Sequence, residues 1–310
     1  MAKMLKKPKQ LTPNPTYKGA LDALFKTMDK APITPDHPTF KKEDDKENYE
    51  TQLMFAYWKY DAALHHIENV KTKLAKFNAE AMAAMKKHAN KKPGKNVVGS
   101  TASLTIQGGP ATAFTHELSA FLAAIRSGLD FLAVAAAKTM PGVKAHSMHT
   151  FEGMAEKAKA NPNMKTGPVL DVVIAQEAWL RELREYRDQV VHHLVVKSPA
   201  MGWLVSTEGK ISKAVFPIVV PRKTPTRAPD TRRSRMMDTD LPHGLSRWDF
   251  HSDVTFPDGA KKTLRHEVLF EPVPTHVPIL EMMEHHLSEY QKFSIAMFGA
   301  IVKSGFGNTK

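Results

Sequence analysis

The chain has 310 residues, a net charge of +12 and a pI near 9.6. Hydrophobic residues make up 42% and charged residues 25%, the balance of a soluble globular protein with a substantial core. The absence of cysteine excludes disulfides, thiol nucleophiles and thiolate-ligated metal centres, while the basic charge favours polyanionic partners such as nucleic acid.

Residues 1–46 are rich in lysine and proline, with prolines at 8, 13, 15, 32, 35 and 38. They read as a flexible basic leader holding at most one short helix, TYKGALDALFKTMDK. No apolar stretch follows the basic start, so no secretory signal is visible. The patches FLAVAAA (131–137) and IAMFGAIV (295–302) fall short of a membrane span. The expectation is a cytoplasmic protein that does not engage a membrane.

From residue 47 to 310 the pattern predicts one helical domain. A long helix is expected from Glu47 to His88, because Leu53, Tyr57, Tyr60, Leu64, Ile67 and Leu74 recur at steps that favour one helical face. Pro93 and Gly94 end it. A second helix carries the stripe Leu118, Phe121, Leu122, Ile125, Leu129 and Leu132, with Thr112 or Thr115 as its cap and Pro141–Gly142 as its stop. A loop containing KAKANPNMKTGP follows. The third helix starts near Pro168, a favoured first-turn residue, and runs to at least His192.

Between about 201 and 272 the periodicity changes. WLVSTEGKISKAVFPIVVP and DVTFPDGAKKTLRHEVLF each read as two strands about a glycine-containing turn. They flank a loop at 222–247 with six of the chain's eleven arginines. A last helix, VPILEMMEHHLSEYQKFSIAMFGAIVK, places Leu280, Met283, Leu287, Tyr290 and Met297 on one face. The fold class expected is mainly α: a four-helix bundle with a small antiparallel β insertion between helices 3 and 4.

The stretch REYRDQVVHH (184–193) carries charge where the third helix should be apolar. An arginine fork suits the two oxygens of a phosphodiester, and a histidine can accept and return a proton near neutral pH. RNA supplies its own nucleophile in the 2′-hydroxyl, so cleavage needs positioning, a base, an acid and charge stabilisation. Arg187 and His192 stand five residues apart, so on an ideal helix they diverge by about 140° and need the helix end or a second protomer to meet. The structural alternative is a helix C-terminus where histidines favour the dipole and Arg187 pairs with Glu182 or Glu185.

Arg187–Asp188, followed by His192 late in a bundle helix, resembles the arginine–polar–histidine signature of the HEPN superfamily. The resemblance implies a four-helix bundle acting as a homodimer, and a metal-independent endoribonuclease of toxin, defence or stress-response type that needs no cofactor. It implies Arg187 as phosphate ligand, His192 as general acid and base, and Asp188 as the residue orienting them. His193 also fits the spacing, so the histidine stays open. The partners implied are RNA and an antitoxin or other regulatory protein. The family also has non-catalytic members, so the second reading is a bundle that binds nucleotide, RNA or protein without cleaving.

Histidine pairs at 65–66, 192–193 and 285–286 invite a metal site, but Glu-x-x-His spacing is missing and adjacent histidines diverge by about 100° on a helix. No metal is expected. No GxxxxGK[ST] or GxGxxG pattern points to ATP or a dinucleotide. Glu117, Arg126 and Asp130 are further polar groups in the second helix, and Arg126 has helical pairing distance to Asp130.

Overall fold

The computed structural model describes residues 15–89, 109–140, 150–161, 167–193, 203–205, 211–214, 218–222, 245–255, 261–272 and 276–307. These residues are mainly helical. The helices are α1 (Pro15–Asp29), α2 (Glu43–Ala89), α3 (Gly109–Lys138), α4 (Phe151–Ala160), α5 (Pro168–Ala175), α6 (Glu177–His193) and α7 (Ile279–Lys303). All described strands fall between α6 and α7, as expected: β1 (Trp203–Val205), β2 (Ile211–Ala214), β3 (Val219–Pro221), β4 (Leu245–Thr255), β5 (Lys261–Pro272) and β6 (His276–Pro278). They form three antiparallel pairs, β1–β2, β4–β5 and β3–β6. The chain divides into two compact units, one of residues 1–65, 121–184 and 286–310, the other of 66–120 and 185–285.

The first unit has an aromatic interior. Tyr17 of α1 stacks on Tyr60 of α2 with ring centres 4.7 Å apart, and meets Phe298 of α7 edge-on at 5.5 Å. Phe293 of α7 receives Phe151 of α4 at 4.8 Å and Trp179 of α6 at 5.9 Å. Offset and edge-to-face aromatic pairs of this kind each add about 0.5–1.5 kcal/mol beyond burial. The α3 stripe Phe121, Leu122, Ile125, Leu129 and Leu132 is fully buried here, as its spacing predicts.

The second unit packs Ile67, Val70 and Phe77 of α2 with Phe114 and Leu118 of α3, Tyr186 and Val190 of α6, and Met282 and Met283 of α7 as its buried apolar set. Phe77 and Phe114 meet edge-on at 6.2 Å. Ile218, Val219 and Val220 are buried beside β6, and the Ile279 amide at the start of α7 donates to Ile218 O at 2.9 Å. The short β3–β6 pair therefore anchors the entry to α7.

Four expectations need correction. The short helix expected in the leader forms as α1, but residues 15–46 are packed and not flexible: α1 buries Tyr17, Leu21, Leu24 and Met28 at 0–2% exposure, and His37 and Phe40 are buried after it. Apolar residues at steps of four, three and four drive this, despite the surrounding lysines and prolines. The expected loop after α3 includes helix α4, capped by Thr150, whose hydroxyl accepts from Gly153 N at 3.1 Å. The single third helix is two, because Gln176 leaves helical geometry at φ −110° and ψ 9°. Thr112 and Thr115 lie inside α3, which begins three residues before the first of them.

The α3 stretch Thr112–Lys138 is long and apolar enough to cross a membrane, against the expectation that no segment is. Burial of its apolar face accounts for that composition equally well. The turns at 93–94, 141–142 and 257–259, and the arginine loop from 223 to 244, lie outside the described residues.

Candidate functional site

The end of α6 carries the candidate site. Its apolar positions Leu180, Leu183, Tyr186 and Val190 recur every three or four residues and are 0–2% exposed. Tyr186 ties this face to the β segment by donating its hydroxyl to Pro221 O at 3.0 Å, at the end of β3. That bond is buried, so it holds the helix turn next to Arg187.

Arg187 and Asp188, adjacent in sequence, form an ion pair, Nη1 to Oδ1 at 2.9 Å. Their side chains are 39% and 44% exposed, so the pair sits at the surface. Arg187 Nε is different: it is buried and has no hydrogen-bond partner among the described residues. A buried N–H without a partner costs about 1–3 kcal/mol, which makes the arginine a stressed group. Arg187 thus pairs with its sequence neighbour, and no ion pair to Glu182 or Glu185 forms among the described residues.

The helix remains helical through His193, so Arg187 and His192 lie five residues apart on one uninterrupted segment. The helix end does not unwind to close that separation. The side chains of His192 and His193 lie outside the described residues. Of the four residues singled out, Arg187 and Asp188 are seen together.

A second polar cluster, in the same unit, joins α2 to α3. Glu117 accepts from His66 Nδ1 at 2.8 Å and Asn69 Nδ2 at 3.3 Å through Oε2, and pairs with Lys73 through Oε1. Burial works against the charged carboxyl, but hydrogen bonds from Lys73, His66 and Asn69 outweigh it and hold Glu117 down to about 2. The group is a fixed anion and not a proton carrier near neutral pH. Positions 66, 69 and 73 share one face of a helix, a signal legible in the sequence; their convergence on Glu117 is tertiary.

In the first unit, Arg126 bridges α3 and α4. Its Nη1 pairs with Glu152, and its Nε lies 3.3 Å from Asp130 Oδ1, the expected four-residue pair. Glu152 is 7% exposed and its Oε2 has no hydrogen-bond partner among the described residues. The histidine pairs at 65–66 and 285–286 diverge as expected. His66 serves Glu117, while His286 accepts from Trp179 Nε1 at 3.2 Å and His65 and His285 are exposed. Among the described residues no three histidine, aspartate or glutamate side chains gather as a metal site.

No protein-family model matches the chain, and neither the curated proteins nor the solved structures contain a match to it.

Proposed function

We propose that the chain is a metal-independent endoribonuclease of the HEPN kind. In this reading α2, α3, the α5–α6 pair and α7 form the four-helix bundle, the strands between α6 and α7 are its insertion, and the active form is a cytoplasmic homodimer. The carrying observation is the Arg187–Asp188 pair at the end of α6, with Nε lacking a partner and two histidines within six residues. A guanidinium oriented by a neighbouring carboxylate is a phosphate clamp with its direction set in advance.

In the reaction, His192 or His193 removes the proton from a ribose 2′-hydroxyl. The freed O2′ bonds to phosphorus, the P–O5′ bond breaks, and O5′ takes a proton from a second imidazole. The products are a 2′,3′-cyclic phosphate and a 5′-hydroxyl. Arg187 neutralises the phosphate as charge builds on it. One chain supplies one arginine, so two copies provide two clamps. The net charge of +12 draws RNA in with a salt-dependent rate. An antitoxin or other regulatory protein would act by covering this surface.

The second reading is a non-catalytic bundle binding nucleotide, RNA or protein. It is favoured by one detail: Nη1 is already engaged by Asp188 and Nε lies below the surface.

The deciding experiment is cleavage of end-labelled RNA in EDTA by wild type, Arg187→Ala, His192→Ala and His193→Ala, with end-group analysis. Cyclic phosphate ends from wild type, lost in Arg187→Ala and one histidine variant, are expected. Intact RNA with wild type, or equal cleavage by all four, removes the ribonuclease reading.

A further inference from the structure

The segment joining α1 to α2, residues 30–42, contains Pro32, Pro35 and Pro38 and is nonetheless closely held. Thr34 N donates to Phe40 O at 3.2 Å, and His37 N donates to Thr34 O at 2.9 Å. At its centre His37 is 3% exposed. Its Nδ1 accepts two backbone N–H groups, from Thr39 at 3.1 Å and Phe40 at 2.8 Å. A ring nitrogen accepting two donors presents a lone pair, so the proton of the neutral ring is on Nε2. Nε2 is buried and has no hydrogen-bond partner among the described residues.

This strap covers the end of α7. The Thr39 hydroxyl bonds to Lys138 O at 3.0 Å, where α3 stops, and also contacts Phe306 O. The Phe40 ring meets Phe306 at 5.2 Å and Tyr49 at 5.5 Å. Phe306 belongs to a 3-10 turn, Gly305–Gly307, and sits at φ 56°, a left-handed conformation strained for a phenylalanine. Its flanking glycines, at φ 56° and 87°, adopt that region freely. The strained turn keeps its shape because the strap buries Phe306 at 2% exposure.

We propose that residues 30–42 are a proton-operated clasp: protonation of His37 releases the strap from the C-terminal turn of α7 and uncovers the apolar cluster of Phe40, Tyr49 and Phe306. A proton on Nδ1 would point at two N–H donors that now converge there. Charged groups around the strap include Glu43, Asp44, Asp45 and Lys46 at the start of α2, Lys138 at the end of α3 and Lys303 at the end of α7, with Lys30, Asp36, Lys41 and Lys42 in the strap itself. Asp45 already accepts from the Lys41 and Lys42 amides, and Lys46 lies 5.9 Å over the Phe40 ring. Burial first, and then the Lys46 charge, hold His37 below its ordinary value.

The direction follows from that depression. Closure is at full strength above the ordinary imidazole value of about 6.5. It weakens as pH falls through that value, until His37 itself takes up the proton. Within that window the opening constant rises by up to about tenfold per pH unit.

The test is amide exchange on the full chain between pH 7.5 and 5, with Thr39 and Phe40 referred to Leu53 in the α2 core. Relative protection of Thr39 and Phe40 should fall below pH 6.5 in wild type. His37→Asn offers a carboxamide oxygen to the same two amides but does not titrate, so its protection should stay flat. Constant relative protection in wild type overturns the proposal, as does the same pH dependence in His37→Asn. Should His37→Asn not fold, the wild-type His37 ring can be titrated by NMR. Its midpoint must then match the loss of Thr39 and Phe40 protection, and a mismatch overturns the clasp.

Discussion

The hydroxyl of Tyr290 occupies the space a side chain at Gly128 would need. A Cβ built at Gly128 lies 2.9 Å from Tyr290 Cζ and nearer still to its oxygen, with Lys59 Cβ at 3.1 Å on the other side. Tyr290 cannot simply move away, because its hydroxyl donates to Ala56 O at 2.9 Å and the residue is fully buried. Gly128→Ala should therefore destabilise the chain by about 1–3 kcal/mol despite alanine's better helix propensity. Tyr290→Phe removes the obstructing oxygen, so the double variant should lose less than the sum of the two single ones. Urea unfolding midpoints for the four chains measure that coupling.

Arg126, partly exposed, and buried Glu152 make an ion pair whose second carboxylate oxygen lacks a partner among the described residues. Arg126→Met leaves the Glu152 carboxyl without its partner, which costs about 1–3 kcal/mol. Removing both charges, with Arg126→Met and Glu152→Leu together, should recover most of that loss. A double variant less stable than Arg126→Met in thermal unfolding would contradict this account.

Tyr186→Phe separates packing from anchoring at the candidate site. It keeps the buried ring and leaves the Pro221 carbonyl without its donor, at a cost of about 1–3 kcal/mol. On the ribonuclease reading, the turn holding Arg187 loosens and cleavage falls with little change in overall helix content. Circular dichroism beside a cleavage assay separates the two effects.

Glu117 is held low by Lys73, His66 and Asn69 against the opposing effect of burial. A depressed carboxyl contributes stability that is complete above its ordinary value near 4.5 and is lost as pH falls toward about 2. After allowance for solvent screening, the contribution is about 1–2 kcal/mol. Glu117→Gln should accordingly be less stable than wild type at pH 7 and close to it at pH 2.5. Denaturant titrations at the two values check the sign.

The long helices were legible in the sequence because their apolar steps match the helical period: α3 buries its whole stripe, and α7 buries Met283, Leu287, Tyr290 and Met297 while Leu280 is half-buried. Short elements were harder. In α4 the lysines and the following NPN obscured Phe151, Met154 and Ala155, although Thr150 was available as a cap. The break at Gln176 carries neither glycine nor proline to announce it. The short helix in TYKGALDALFKTMDK was legible, but the surrounding lysines and prolines masked the burial of Tyr17, Leu21, Leu24 and Met28. Arg187 and Asp188 could be picked out by residue type, whereas the role of Tyr186 in holding their turn depends on a carbonyl 35 residues away. The Glu117 and Arg126 clusters likewise join residues that only tertiary packing brings together.

Tyr17 of α1 stacks on Tyr60, which follows within α2, but also meets Phe298 of α7, far later in the chain. During synthesis the part of the α1 face that meets α7 therefore stays uncovered until α7 has been made. The same separation allows complementation: residues 15–42, supplied as a peptide, carry the rings and the strap needed to cap a chain begun at residue 43.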